Sequence, residues 1–265
     1  MNTEKVEKHI VNWLANYIEI SKTKGFVIGI SGGIDSAVTS TLAAETGLPV
    51  LCVEMPIHQD ANQVTRAKKH IDWLIENYPK VTRTETDLTA VFELFSKSVA
   101  HAENEDLDAL ALANARARLR MTTLYHYAQI NGFLVLGTGN KVEDFGVGFY
   151  TKYGDGGVDL SPIADLVKTE VFALGKHLGV IKDILTAAPT DGLFGDERTD
   201  EDQLGASYPE LEWAMETAEK ANIDFTAFTP REQKVFEIYT RLNTINQHKM
   251  QAIPVCEIPS EVRGY

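Results

Sequence analysis

The stretch GFVIGISGGIDSAV, residues 25–38, constrains this chain more than any other. An apolar run with the content of a buried strand stops abruptly at Ser31-Gly32-Gly33-Ile34-Asp35-Ser36, and a helical pattern begins at about residue 34. Few folds pass from strand to helix through two glycines. Gly32 and Gly33 can adopt conformations denied to other residues, so successive N–H groups can converge on an anion. The helix that follows adds its dipole and its unpaired first-turn N–H groups. Ser31 and Ser36 can donate further hydrogen bonds. Asp35 would repel a phosphate directly, but it suits one bridged by Mg2+. The stretch reads as a pyrophosphate cradle with a metal ligand built in; on spacing alone it also fits a Gly-Gly turn with Asp35 as a helix cap. It lacks the Gly-Lys-Ser/Thr of a Walker A loop, and Gly29, Gly32 and Gly33 do not make G-x-G-x-x-G.

The same alternation continues along the chain. Val6, Ile10, Trp13, Leu14, Tyr17 and Ile18 put a helix over 4–21, ahead of a strand at 25–30 and a helix from about 34 to 46. PVLCVEM predicts the next strand, residues 60–77 a helix, KVTRTETDL a third strand, 87–130 helical material, and FLVLGT at 133–138 a fourth strand. Strands alternating with helices of this length predict an α/β fold, a doubly wound (Rossmann-like) parallel sheet flanked by helices, with ligands at the carboxyl ends of the strands. No repeat or Pro/Ser-rich linker divides the 265 residues, so one domain is expected, with a nucleotide-binding core over about 25–190 and a C-terminal helical segment over about 206–250. The acidic stretches 101–108 and 191–205 read as mobile solvated loops, the second also as a lid.

Composition narrows the function classes. A formal net charge of −13 argues against nucleic acid and anionic membranes as partners. Cys52 and Cys256 have no metal-type spacing, which suits a reduced, cytoplasmic protein. The N-terminus MNTEKVEKHIVNWL is charged and amphipathic rather than signal-like, and no apolar run approaches the roughly 18 residues of a membrane span. The expectation is a soluble chain.

A second motif, GTGNKVEDFGVGFYTKYGDGGVDLSPIADLVKTEV, runs from 137 to 171. Gly137 and Thr138 close a strand where a small residue and a hydroxyl admit a base or ribose. Glu143 adds a second hard oxygen ligand to Asp35. TKYGDGGVD sets Lys152, Asp155 and Asp159 among three glycines, as close backbone approach to a ligand requires, or as a surface turn allows. On spacing alone Glu143, Lys168 and His248 read as surface side chains. In RARLR, Arg116 and Arg120 share a helix face and Arg118 points away from them. Cys52 reads as core, and Cys256 has no partners that would make it a nucleophile.

SGGIDS after an apolar strand resembles the pyrophosphatase loop of enzymes that cleave ATP between its α and β phosphates, among them NAD, GMP, asparagine and argininosuccinate synthetases and several tRNA-modifying enzymes. FYTKYGDGGVDLSPI with LVKTEV resembles the signature of ammonia-dependent NAD synthetases. NARARLRM, APTDGL and INQHKM, at 114–121, 188–193 and 245–250, resemble further stretches of that family in order and spacing. The likeness covers about residues 25–250. Carried over by position, it implies ATP on Gly29, Ile30, Ser31, Gly32, Gly33, Ile34, Asp35 and Ser36 with Thr138, Lys168 and Thr190. It implies Mg2+ on Asp35 and Glu143, and deamido-NAD on Arg118, Lys152, Asp159, His248 and Lys249. Two departures stand out: one residue more between Glu143 and Lys152 than the enterobacterial and bacillus pattern, and GTGNKVED in place of GTDHAAEA.

The activity so implied is amidation of deamido-NAD through an adenylylated carboxylate, with release of pyrophosphate and then AMP. No covalent nucleophile is expected, and no base for the ammonium proton is identifiable. The length leaves no room for a glutamine-hydrolysing domain, so the expected donor is free ammonia, or ammonia from a separate protein. The resemblance also implies a homodimer whose partner subunit completes the dinucleotide site. Two rivals share the loop. The acidic balance opposes a tRNA-modifying enzyme, and FYTKYGDGGVD favours deamido-NAD over a GMP-forming one; a nucleotide-binding sensor without catalysis needs neither the Asp35/Glu143 pair nor the distant cations.

Overall fold

A computed structural model describes residues 1–188 and 199–264. The chain starts with α1 (Thr3–Ser21), capped by the Asn2 side chain, which accepts from the Lys5 amide at 3.1 Å. Then come β1 (Phe26–Gly29), α2 (Ile34–Glu45), β2 (Val50–Glu54), α3 (Ala61–Asn77) and β3 (Val81–Glu85). They are followed by α4 (Thr89–Ser98), α5 (Glu105–Asn131), β4 (Leu134–Val135) and a π-turn at Val142–Val147. The remaining helices are α6 (Lys168–His177), α7 (Lys182–Leu185), α8 (Asp200–Leu204), α9 (Tyr208–Ala218), α10 (Pro230–Met250) and α11 (Ser260–Arg263).

The sheet is parallel throughout, in the order β3-β2-β1-β4, with Phe26 of β1 opposite Val50 on one side and Leu134 on the other. The chain winds outward from β1 to β3 and then returns to the far side of β1. This reversal is the expected doubly wound arrangement, and it opens a crevice between the carboxyl ends of β1 and β4. Both chemistry-bearing motifs leave the sheet at that crevice.

β1 and β2 are apolar at almost every position because helices cover both of their faces. Phe26, Ile28 and Cys52 pack on one side with Leu14 of α1, Leu42 of α2 and Leu174 of α6. Val27, Leu51 and Val53 pack on the other with Phe92 of α4 and Ala128 of α5. Cys52 is core, as its apolar strand implied, and burial pushes its thiol up to about 12. A separate cluster joins Val142 and Val147 of the π-turn to Leu211 and Met215 of α9 and Val235 of α10. Among the described residues no helix is long and apolar enough to cross a membrane.

Three local expectations change. The helical material at 87–130 is two helices, broken where Asn104 caps α5 (Leu107 amide, 3.0 Å) and His101 bridges the Ser96 carbonyl and Asp108. The acidic stretch 101–108 is thus partly helix, with Glu105, Asp106 and Asp108 in the first turn of α5, where the helix dipole favours them. The fourth strand keeps two residues, because beyond it the Gly137 amide turns to the Leu160 carbonyl at 2.7 Å. In the segment with one residue more than the family pattern, the chain forms the π-turn, its capping Gly148 amide reaching the Glu143 carbonyl five residues back. Such a turn is how a helix accommodates an additional residue.

Candidate active site

β1 delivers the glycine loop to the crevice. Gly32 adopts φ +81°, and a Cβ there would meet the Gln63 carbonyl oxygen at 2.5 Å, so only glycine fits without strain. Gly33 is extended at φ −95°, and a Cβ there would press only on Ser31 Oγ at 3.3 Å, a side-chain atom that can shift, so one glycine of the pair carries the conformational demand. Ser31 and Ser36 currently tie the loop to itself: the Gly33 amide donates to Ser31 Oγ at 3.2 Å, and Ser36 Oγ donates to the Gly33 carbonyl at 3.0 Å. The first turn of α2 faces the same space with unpaired amides.

Opposite the loop, Lys168 at the start of α6 is 3% exposed and donates to Asp35 Oδ2 at 2.6 Å and to Glu143 Oε1 at 3.0 Å. The residue that resembled a surface lysine on spacing is the buried hub of the site. Burial pulls its pKa down, but Asp35 and Glu143 more than offset this and hold it charged, above the ordinary lysine range. Burial raises the Asp35 carboxyl despite the attraction of Lys168. Asn140, fully buried, donates to Asp35 Oδ1 at 3.3 Å and accepts from the Val142 and Glu143 amides, each at 3.2 Å, so it sets the two carboxylates against each other.

Asp35 and Glu143 therefore converge on the Lys168 ammonium from two motifs. Two carboxylates with phosphates and water completing the shell are the donor set that suits Mg2+, and among the described residues no group of three or more His, Cys, Asp or Glu forms a fuller metal cage. Neighbouring Asp144 has its carboxyl pushed up to about 8 by burial first and by Glu143 second. It packs against Gly139, where a Cβ would lie 2.1 Å from its oxygen.

A cleft of about 280 Å³ runs from this cluster over the ends of β1, β2 and β4. Gly29, Ile30, Ser31, Asp35, Ser36, Thr138, Glu143 and Lys168 line it. Gly32, Gly33 and Ile34 line an adjoining hollow of about 70 Å³. The structure thus brings together the ATP and metal sets named from sequence, except Thr190, which lies outside the described residues.

The second set gathers at the rim, beyond the cleft lining. Arg118 donates to the Lys152 carbonyl at 3.3 and 3.4 Å, and Lys152 Nζ in turn donates to the His248 carbonyl. Lys249 Nζ donates to the Gly148 and Tyr150 carbonyls at 2.8 and 2.9 Å. His248 itself is exposed, its ring nitrogen 3.1 Å from the Ile245 carbonyl. Asp159 stands apart, accepting from the Val135 amide at 2.8 Å and from Tyr125 at 3.0 Å.

Sequence reasoning missed four polar residues here. Arg120 lines the cleft and donates to the Met55 carbonyl and Gln59 side chain. Arg66 of α3 reaches the Gly32 carbonyl at 3.3 Å. Asn140 and Tyr208, whose hydroxyl donates to Glu143 at 2.5 Å, complete the list. Asn140 lay inside the quoted motif beside Glu143 and could have been found there. Arg120 lay in the quoted stretch NARARLRM, near Arg118, whereas Arg66 and Tyr208 sit in ordinary amphipathic patterns that carry no signal.

With that geometry in view, comparison with known proteins is informative. The family model described as NAD synthase matches residues 6–253. An NH(3)-dependent NAD(+) synthetase of Methanosarcina acetivorans is 37% identical over 97% of this chain and 100% of its own. One from Mycoplasma genitalium is 39% identical over 80% of this chain and 82% of its own. A solved NMN synthetase from Francisella tularensis superposes with a TM-score of 0.84 at 31% identity, covering 97% of this chain and all of that one. The chain belongs to the NAD synthase family.

Proposed function

We infer that this chain is a ligase that amidates deamido-NAD with ammonia at the expense of ATP, giving NAD, AMP and pyrophosphate. The observation that carries the reading is the placement of Lys168, Asp35 and Glu143 against the glycine loop at the switch point. A carboxylate resists attack by ammonia because it is anionic and has no leaving group. Attack of the nicotinate carboxylate oxygen on the α-phosphorus expels pyrophosphate and makes a mixed anhydride. Ammonia then adds to the carbonyl carbon, loses a proton and expels AMP.

The proposed site assignments are those the resemblance implies, and the grouping of the side chains supports them. Residues 29–36, Thr138 and Lys168 hold ATP, while Arg118, Lys152, His248 and Lys249, with Asp159 behind them, serve the dinucleotide. Mg2+ on Asp35 and Glu143 would neutralise charge gathering on the phosphates. Lys168 and the loop amides align the triphosphate and oppose the same charge. Residues 1–265 work as one unit, with the core at about 25–190 and a helical segment at about 206–250. Free ammonia is the nitrogen donor, and the protein works in the cytoplasm.

A homodimer is part of the proposal. Val91, Leu94 and Phe95 form one exposed stripe on α4, and Leu107 and Leu110 form another on the start of α5. In the proposed dimer a second copy covers them. One observation favours a second reading, nicotinate mononucleotide as acceptor: the likeness to the Francisella NMN synthetase over the whole chain. The test supplies each acceptor with ATP, Mg2+ and ammonium and assays NAD or NMN together with AMP. Ammonium-dependent NAD with one AMP per turnover supports the first reading, and NMN alone moves the assignment to the second.

A further inference from the structure

Tyr208 belongs by packing to the helical cluster of α9 and α10, yet its hydroxyl leaves that cluster for the carboxylate pair. The side chain is 3% exposed. Its hydroxyl lies 2.5 Å from Glu143 Oε1 and 3.2 Å from Asp200 Oδ2, and its ring centre lies 4.6 Å from Lys168 Nζ. A phenol has one proton, and the shorter contact assigns it to Glu143. Packing alone would be met by phenylalanine. A buried hydroxyl is costly unless bonded, and here the partner is a charged oxygen at the site rather than a backbone carbonyl.

The backbone holds Tyr208 where it can do this. Its amide donates to Glu201 Oε1 at 2.9 Å, and Ser207 and Glu210 form a capping box around the start of α9. Lys168 and Tyr208 both donate to the same oxygen of Glu143, Oε1. Two donors on one oxygen fix the rotamer and present the other, Oε2, in a constant direction.

We propose that Tyr208 is the positioning residue for Glu143, orienting that carboxylate toward the metal that arrives with ATP without itself touching substrate. The proposal rests on the reading of Asp35 and Glu143 as the metal pair. It also gives the C-terminal helices a task at the site, because Tyr208 carries the placement of α9 to the metal carboxylate.

The test titrates Mn2+, read by electron paramagnetic resonance, with an α,β-methylene analogue of ATP. The proteins are wild type, Asp35→Ala, Tyr208→Phe, Glu143→Gln and the Tyr208→Phe/Glu143→Gln double variant. Phenylalanine keeps the ring and its packing, and thermal melting checks the fold of each. Tyr208→Phe should weaken Mn2+ binding about tenfold, the size of one hydrogen bond to a charged acceptor. It should also raise the KM for Mg2+ and leave that for ammonium unchanged. In the Glu143→Gln background it should add nothing. An equal loss in both backgrounds, or no loss in either, overturns the proposal. If Asp35→Ala and Glu143→Gln both bind Mn2+ as wild type does, the metal reading beneath it falls instead.

Discussion

At the β1 end of the cleft, Lys168 is buried and bonded to two carboxylates, whereas at the rim Arg118, Lys152 and Lys249 give their protons to backbone carbonyls. Both regions hold cations for anionic ligands, but they hold them differently. Charges locked against opposite charges before a ligand arrives need no reorganisation when phosphate binds. Charges resting on carbonyls at an open rim can turn away from them at small cost, so under the proposed function that end takes its final form when ligand binds. On the proposed reading, the phosphate end is built by one chain, and the dinucleotide end is completed by a second copy.

The sharpest way to break this contrast is Lys168→Met. Removing one partner of a buried ionic cluster costs about 3–5 kcal/mol, so urea unfolding should show a marked loss of stability. Turnover should fall on the order of 10²–10³-fold, as when one preorganised donor is lost. Arg118→Ala should do neither. Its loss should raise the KM for the dinucleotide about tenfold and leave ATP binding and unfolding unchanged, as steady-state kinetics and calorimetry would show.

Within the phosphate end, the two glycines separate. Gly32→Ala meets a left-handed φ and the Gln63 carbonyl, so it should lose about 1–3 kcal/mol of stability and weaken ATP binding; Gly33→Ala should change either by less than about 0.5 kcal/mol. The smallest effect belongs to the outer helices. Arg231 first, against the opposing pull of burial, holds Glu210 down to about 2, bonding at 2.6 Å. A carboxylate with a lowered folded-state pKa stabilises above its unfolded value near 4.5 and loses that contribution as pH falls toward 2. The pair is partly exposed, so no more than about 1 kcal/mol should vanish over that window in wild type, and the acid dependence should flatten in Arg231→Ala.

The sequence made the sheet and the phosphate loop legible because both rest on local chemistry. An apolar strand running into Gly-Gly needs no knowledge of distant residues, and the alternation of strands with helices fixes a parallel sheet. Lys168 was harder. Its burial depends on Asp35, 133 positions away, and only the family signature pointed to it. Tyr208 was illegible, since a tyrosine on the apolar face of a helix looks like core wherever its hydroxyl ends. The break between α4 and α5 was half legible: it falls at the acidic stretch read as a loop, but the Asn104 cap starts α5 at Glu105, inside that stretch. Thr190 is unaddressed, as it lies outside the described residues.

On the proposed reading, the ATP end is complete in a single chain and the dinucleotide end is not. Leu94→Asp with Phe95→Asp places charge on the exposed stripe of α4 and should leave the protein monomeric by sedimentation. Calorimetric titration of that monomer with the α,β-methylene ATP analogue and Mg2+, and separately with deamido-NAD, measures both ends. Nucleotide affinity should stay within about threefold of wild type, and deamido-NAD affinity should fall at least about tenfold. A monomer that binds deamido-NAD as tightly as wild type, or loses both ligands together, would contradict that reading.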